Sequence, residues 1–250
     1  MGLVINSPAT SVWIGYDPRQ STAFAIAKYS LKKYQRHIPI MGLVLDELRE
    51  QGLYRRPTSR KNCRLWDDIS EAPMATEFSI SRFLVPHLAK IGYALFCDCD
   101  VMFMTNVARI FDKLENGKAV YCVKHKHEPD DQLKMDNQIQ TKYFRKNWSS
   151  VMLFNCDHPS NKKLTLDLVN TLPGRDLHRF CWLEDDEIGE LPPEWNYLVG
   201  SSYLNENQIP AIVHFTNGLP DIKGYEDQEY AKEWRAMKPL SVGAFSNWKV

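Results

Sequence analysis

The chain has no surplus of charge of either sign: Lys and Arg total 31, and so do Asp and Glu, across 250 residues. No net field draws it to nucleic acid or to an anionic membrane, so an anionic ligand has to be held by local groups. No run approaches the roughly 18 consecutive apolar residues that a spanning helix needs. Met1 to Thr10 shows neither the basic start nor the apolar stretch of a secretory leader. The six cysteines, at 63, 97, 99, 122, 156 and 181, form no Cys-x-x-Cys pair and no secreted-scaffold spacing. They read as small apolar residues in a reducing compartment, and a cytoplasmic location is the expectation. Internal repeats, low-complexity segments and linkers are absent. The reading is therefore one domain over residues 1–250, with residues 1–10 and 240–250 as peripheral tails. A composition 44% hydrophobic and 25% charged suits a globular protein with a real core.

What is present centres on Gly92-Tyr93-Ala94-Leu95-Phe96-Cys97-Asp98-Cys99-Asp100-Val101-Met102-Phe103. An apolar, strand-like run ends in Asp-Cys-Asp, and a second apolar run follows at once. In an extended strand alternate residues share a face, which would aim Asp98 and Asp100 the same way. Two carboxylates held together at the end of a buried strand repel each other and resist desolvation. A divalent cation relieves both costs, and hard oxygen ligands suit Mg²⁺ or Mn²⁺. A strand running into an acidic loop explains the same residues, and Asp-x-Asp alone does not separate the two readings.

Along the chain, Ser11 to Ile14 reads as a first strand ending in the turn Gly15-Tyr16-Asp17-Pro18-Arg19. A helix is expected from Ser21, its N-cap, with Phe24, Ala27, Leu31 and Tyr34 as one buried stripe. Ile38 to Leu45 reads as a parallel strand. Strand, helix, strand makes a β-α-β unit whose ligands sit at the carboxyl ends of the strands, beside the Tyr16-Asp17 turn. An aromatic and an acid there could stack on and hydrogen-bond a base, or simply shape the turn. Residues 46–75 read as loops and short helices, and Ala75 to Lys90 as a helix made irregular by Pro86. Arg82 on it suits a phosphate or carboxylate, or a structural pairing with one of the two aspartates. A short helix over Asn106 to Leu114 and a strand over Ala119 to Val123 follow. His125-Lys126-His127, ahead of Glu-Pro-Asp-Asp, fits a solvated loop better than a metal site. Residues 128–146, with Lys142, Tyr143, Arg145 and Lys146, read as a loop over a substrate or a solvated face. Ser149 and Ser150 precede a buried strand, where small hydroxyls let a ligand approach the backbone. A helix over Lys162 to Thr171 comes next. In Trp182-Leu183-Glu184-Asp185-Asp186-Glu187-Ile188 the flanking apolar residues argue that at least one carboxylate turns inward, against the usual solvated acidic run. A last short strand ends at His214, and Tyr230 and Trp234 read as packing residues on a final helix.

This ordered set resembles the GT-A glycosyltransferases that use nucleotide sugars, especially glycosyltransferase family 8. The residues that carry the likeness run from Val12 to Trp234: the opening strand and turn, Ser81-Arg82-Phe83-Leu84-Val85-Pro86, Phe96-Cys97-Asp98-Cys99-Asp100, Ser149-Ser150-Val151-Met152-Leu153, Leu191-Pro192-Pro193-Glu194-Trp195-Asn196 and Val213-His214-Phe215. The resemblance implies an α/β fold of GT-A (Rossmann-like) type, a central mostly parallel sheet flanked by helices. It implies that Asp98, Asp100 and His214 hold one Mn²⁺ or Mg²⁺ on the donor diphosphate. It places Gly15, Tyr16, Asp17, Arg82, Cys99, Ser149, Ser150 and Gly218 around the donor, and Asp185 with Asp186 at the reacting sugar. Two places depart from the family's pattern. After His214 the Gly-x-x-Lys-Pro-Trp continuation is replaced by Phe215-Thr216-Asn217-Gly218-Leu219-Pro220, with Lys223 further on. Where the family tends to carry Asp-Gln-Asp, this chain has Glu184-Asp185-Asp186, so Asp185 stands in the place of a glutamine beneath the anomeric carbon. A carboxylate there could stabilise an oxocarbenium ion, attack it, or act as a base.

The implied activity is metal-dependent transfer of a sugar from a nucleoside diphosphate, with UDP expected, to a glycan or lipid-linked glycan acceptor, with retention of configuration. No nucleic-acid partner is expected, and a peripheral membrane contact stays open. A nucleotidyltransferase or phosphohydrolase built on the same aspartates is the first alternative. A nucleotidyltransferase would show a Gly-rich, basic loop near the first strand, which Gly15 to Arg19 is not. A non-catalytic carbohydrate-binding protein with a decayed GT-A fold is the second; it would most readily have lost a metal ligand, and none is missing.

Overall fold

The computed structural model describes residues 10–62, 64–125, 145 and 147–241. Cys63, Lys126, His127, Lys142, Tyr143 and Lys146 lie outside the described residues, as do the two expected tails apart from Thr10, Leu240 and Ser241. In the first half, strand β1 (Thr10–Gly15) leads to helix α1 (Ser21–Tyr34), β2 (Ile40–Leu43) and α2 (Leu45–Glu50). Three short strands follow, β3 (Thr58–Lys61), β4 (Arg64–Asp67) and β5 (Ala72–Pro73), then α3 (Val85–Ala89), β6 (Tyr93–Cys97) and β7 (Val101–Phe103). The second half holds β8 (Val120–Cys122), β9 (Val151–Asn155), α4 (Leu166–Thr171), α5 (Gly174–His178) and β10 (Ile188–Glu190). It closes with β11 (Tyr197–Leu198), β12 (Ile212–His214) and α6 (Ala231–Ser241).

The main sheet has the order β10-β8-β9-β6-β1-β2, with β1 parallel to both β2 and β6, and β10 parallel to β8. Only β9 runs against its neighbours. Its strands are apolar runs because helices and loops cover both faces; Val12, Ile14, Leu95, Phe96, Leu153 and Phe154 are fully buried. A second sheet, β11-β12-β7, continues from the first through the Asp98–Asp100 segment. Helix α6 closes over it: Trp234 and Met237 pack with Ile26, Met102, Val213 and Phe215 in a core of their own.

Four local expectations change. Ser21 is not the cap but the first residue of α1: the capping carboxylate is that of Asp17, which takes the Arg19 amide at 2.9 Å and starts a 3-10 turn, Pro18–Gln20, that runs into α1. Residues 46–75 hold a small antiparallel sheet, β3-β4-β5, as well as a short helix. Its strands alternate polar and charged residues with few apolar ones, so periodicity did not reveal them. What secures it is an ion pair: Arg56 and Asp67, both buried, join through Nε to Oδ1 at 2.9 Å and through Nη2 to Oδ2, while Arg56 Nη1 reaches the Val169 and Leu172 carbonyls at 2.7 Å. The expected helix over 75–90 shrinks to a 3-10 turn (Ser81–Leu84) and α3, where Pro86 takes a tolerated first-turn position. The expected helix over 162–171 likewise divides into a 3-10 turn, Pro159–Lys163, and α4.

Candidate metal and donor site

The Asp-Cys-Asp segment is not strand. Strand β6 ends at Cys97, and Asp98 to Asp100 form the bend that carries the chain from the first sheet to the second. The second sheet then supplies the third group: His214 ends β12 in register with Val101, and the Phe215 amide donates to the Asp100 carbonyl at 2.9 Å. Asp98, Asp100 and His214 thus offer ligand atoms that lie within 4.8 Å of one another. The convergence comes from a bend and a strand pairing, not from strand alternation.

Each acid faces one cationic partner. Arg82 Nη1 lies 2.8 Å from Asp98 Oδ1, and His214 Nε2 lies 3.1 Å from Asp100 Oδ1. Both contacts are ion pairs out of hydrogen-bond alignment, so Asp98 Oδ1 and Asp100 Oδ1 are buried without a hydrogen-bond donor. Burial pushes the Asp98 carboxyl up to about 6, with the charge of Asp100 adding to the effect and that of Arg82 opposing it. Burial acts the same way on Asp100, but the His214 imidazolium outweighs it and holds this carboxyl below the usual range. His214 is correspondingly raised: burial disfavours its charge, and Asp100 more than restores it.

Asn196 decides which nitrogen His214 presents, and it was not singled out for this from sequence. Its Oδ1 lies 2.9 Å from His214 Nδ1, and its Nδ2 donates to Ser150 Oγ at 3.0 Å, which fixes the amide's orientation. The Nδ1 proton is therefore spent on Asn196, and Nε2 is the atom left for Asp100. In neutral His214 two lone pairs, on Nε2 and on Asp100 Oδ1, would meet unless a cation stood between them. Two unbonded carboxylate oxygens and an oriented imidazole nitrogen fit a divalent cation of the Mg²⁺ or Mn²⁺ kind.

The remaining expected residues surround this centre in different ways. Arg82 takes the structural alternative: besides Asp98 it donates to the Ser149 carbonyl at 2.7 Å, and its guanidinium sits over the Phe96 ring, 4.9 Å from the centroid. The Ser150 carbonyl accepts from the Asp98 amide at 3.0 Å, and Ser149 Oγ bonds His178 Nδ1 at 2.7 Å. Cys99 is buried, its thiol 2.9 Å from Gln20 Oε1, which ties the bend to the turn after β1. In that turn Tyr16 packs edge-on against Phe24. Asp17 is fully buried, with its oxygens taken by Arg19 and by the Glu77 amide. A carboxylate with four donors has no acceptor to spare, so the acid of this pair shapes the turn. Gly15 admits the Phe78 ring, which lies 2.3 Å from where a Cβ would stand, and Gly218 makes the same room for Tyr225 at 2.5 Å.

The acids of 184–187 do not turn in as expected. Glu184, Asp185 and Asp186 are exposed; the half-buried one is Glu187, which bonds Ser160 and closes a capping box with Glu184. Asp185 instead pairs with Arg145. His125 is the second residue whose place the sequence did not show. Its Nε2 is buried without a hydrogen-bond partner, and burial, with the nearby charge of His214, lowers its pKa to about 4.

The chain is 39% identical over 228 residues to Protein CDI of Arabidopsis thaliana, a match covering 89% of this chain and 83% of that protein. The chain belongs to the Protein CDI family. No family model matches it. Among solved structures, the galactosyltransferase LgtC in complex with donor and acceptor sugar analogs shares 10% identity and a TM-score of 0.56, covering 96% of this chain and 97% of its own. The glycosyltransferase GlyE of Streptococcus pneumoniae TIGR4 shares 12% identity and a TM-score of 0.57, and the apo WbbM bifunctional glycosyltransferase 14% and 0.53. These two matches cover 96% and 94% of this chain, but the chain spans only 63% of GlyE and 52% of WbbM. At these identities the likeness is one of fold: this member of the Protein CDI family has the GT-A fold, a central mostly parallel sheet flanked by helices.

Proposed function

We propose that the chain is a single-domain, metal-dependent glycosyltransferase of the family 8 kind, moving a sugar from UDP to a glycan or lipid-linked glycan. The observation that carries this reading is the triad: on a GT-A fold, two aspartates with unbonded oxygens and a histidine aimed by Asn196 stand at the carboxyl end of β6. Asp98, Asp100 and His214 would hold Mn²⁺ or Mg²⁺. When bound, that cation neutralises charge on the departing diphosphate.

The chain's own residues do the rest. Arg82 and the Ser149–Ser150 backbone hold Asp98 in place. Tyr16, Gly15 and Gly218 border the donor's nucleotide, with Tyr16 as the stacking surface for the base. In the transfer, an acceptor hydroxyl oxygen bonds to the anomeric carbon as the carbon–oxygen bond to the diphosphate breaks. UDP leaves with that electron pair, and the hydroxyl proton is released. Asp185, with Asp186 beside it, is assigned to the positive charge that develops on the sugar, with retention of configuration. In the resting structure Asp185 is engaged by Arg145, so that pair has to open before the carboxylate serves the sugar. Five described cysteines are free and no helix among the described residues is long and apolar enough to cross a membrane, which accords with a cytoplasmic setting.

A thermal-shift panel of UDP, GDP and CMP, each with and without Mn²⁺, tests the reading. Stabilisation by UDP that requires Mn²⁺ is expected. Equal stabilisation by all three nucleotides, or none that depends on the metal, would contradict it.

A further inference from the structure

A cavity of about 670 Å³ is lined by Asp185 and by residues that no assignment above has used. Trp148 stands in its wall, at the head of the 3-10 turn whose Ser150 carbonyl receives the Asp98 amide. Its indole Nε1 is fixed on the His125 carbonyl at 3.1 Å. Two cationic heads lie over that ring, Lys124 Nζ at 5.8 Å and the Arg145 guanidinium at 5.6 Å from the centroid, and Arg179 lines the same space. Among the described residues the one acid in the lining is Asp185. Three basic side chains against that acid give the described lining a surplus of positive charge, in a chain whose charges balance at 31 each. Phe180, Leu183 and Ile188 supply apolar walls, and a concave, partly apolar site strengthens the field of the charges that line it.

The backbone around the cavity is also held in an uncommon form. Arg145 and Phe180 both have positive φ, +64° and +56°. For side chains of that size such a conformation is strained, and it collects at ligand sites. Besides lying over Trp148, the Arg145 guanidinium donates to the Asp185 carboxylate and to the Arg179 carbonyl. Its ion pair therefore links the cavity's charge to the very acid assigned to the reacting sugar.

We infer that this cavity receives the acceptor, and that the acceptor is an anionic saccharide, one carrying a carboxylate or a phosphate. Lys124 and Arg145, held by Trp148, bind the anion. In doing so the anion replaces Asp185 as the partner of Arg145 and leaves the Asp185 carboxylate to the sugar. Acceptor binding and the arming of Asp185 become one event. The inference rests on the glycosyltransferase reading, and the test separates the two.

Ligand-observed NMR titration of the full chain, saturated with UDP and Mg²⁺ so that no added phosphate can take the donor's place, compares methyl β-glucuronide, glucose 6-phosphate and methyl β-glucoside. At least one of the two anionic sugars is expected to bind about tenfold or more tighter than the neutral one, the worth of one charge-assisted contact. Which of the two gains tells carboxylate from phosphate. The preference should shrink in Lys124→Gln and in Arg145→Gln, and in salt of about 1 M, where charges are screened within about 3 Å. Equal binding of all three sugars, no binding of either anion, or an undiminished preference in both variants overturns the inference. The ³¹P signal of bound UDP is read in the same samples. Its absence counts against the glycosyltransferase reading, whereas bound UDP without any anion preference sinks the acceptor assignment alone.

Discussion

At the residue scale the account turns on one amide. Asn196 is fully buried, and it spends its oxygen on His214 Nδ1 and its nitrogen on Ser150 Oγ. Second partners of this kind fix a ligand histidine's tautomer, and losing one typically weakens metal binding about 10- to 100-fold. Asn196→Ala should lower Mn²⁺ affinity in that range, read by calorimetry, while far-UV circular dichroism stays that of the native chain. Asp185 is a different case, because positive charge develops on the sugar only in the transition state. Asp185→Asn should cut turnover by roughly 10²-fold or more with UDP affinity nearly unchanged. A full-rate variant would remove the residue from the chemistry. Asp98 and Asp100 stood out in the sequence because they lie between two apolar runs, whereas His214 entered the ligand set only through the family resemblance. Asn196 did not stand out, since nothing in Pro-Pro-Glu-Trp-Asn tells a structural amide from a turn residue.

Elements explain which stretches could be read and which could not. The strands β1, β6 and β9 announce themselves as apolar runs because the sheet is covered on both faces. The small β3-β4-β5 sheet carries its stability in the Arg56–Asp67 pair, which leaves no periodic trace. Removing one partner of a buried pair strands the other charge, at a cost of about 3–5 kcal/mol. Arg56→Met should lower the urea-unfolding free energy by about that much. The end of α5, where His178 meets Ser149 of the turn before β9, has its own signature in pH. Burial, with the charge of Arg82 adding, pushes His178 down to about 3 from the ordinary imidazole value. The folded state therefore keeps the ring neutral while the unfolded chain protonates it near 6.5. Its contribution is complete above that value and is lost as the pH falls through the window towards about 3, at no more than about 1.4 kcal/mol per pH unit. Urea midpoints at about pH 7.5 and pH 5 should differ more in the wild type than in His178→Gln.

For the whole molecule, the fold class followed from the order of strands and helices, but the site's geometry did not. Strand alternation pointed to a pair of aspartates that do lie together, but not for that reason: they converge because the chain bends between two sheets and β12 returns beside the bend. Neither the second sheet nor the pairing of His214 with Val101 can be seen in a string of residues, because both are long-range. Of the acids of 184–187 only Glu187 is half-buried, and it is held by Ser160 and a capping box with Glu184, while Asp185 and Asp186 stay exposed. What the two sheets jointly create is the cluster of Asp98, Asp100 and His214, to which the proposed function assigns a divalent cation. Electron paramagnetic resonance of free Mn²⁺, titrated with protein in the presence of UDP, tests that most directly. The account predicts that wild-type protein depletes the free signal towards one ion per chain and that Asp98→Asn, Asp100→Asn and His214→Ala, each still folded, do not. Undiminished depletion by any one of the three variants would contradict it.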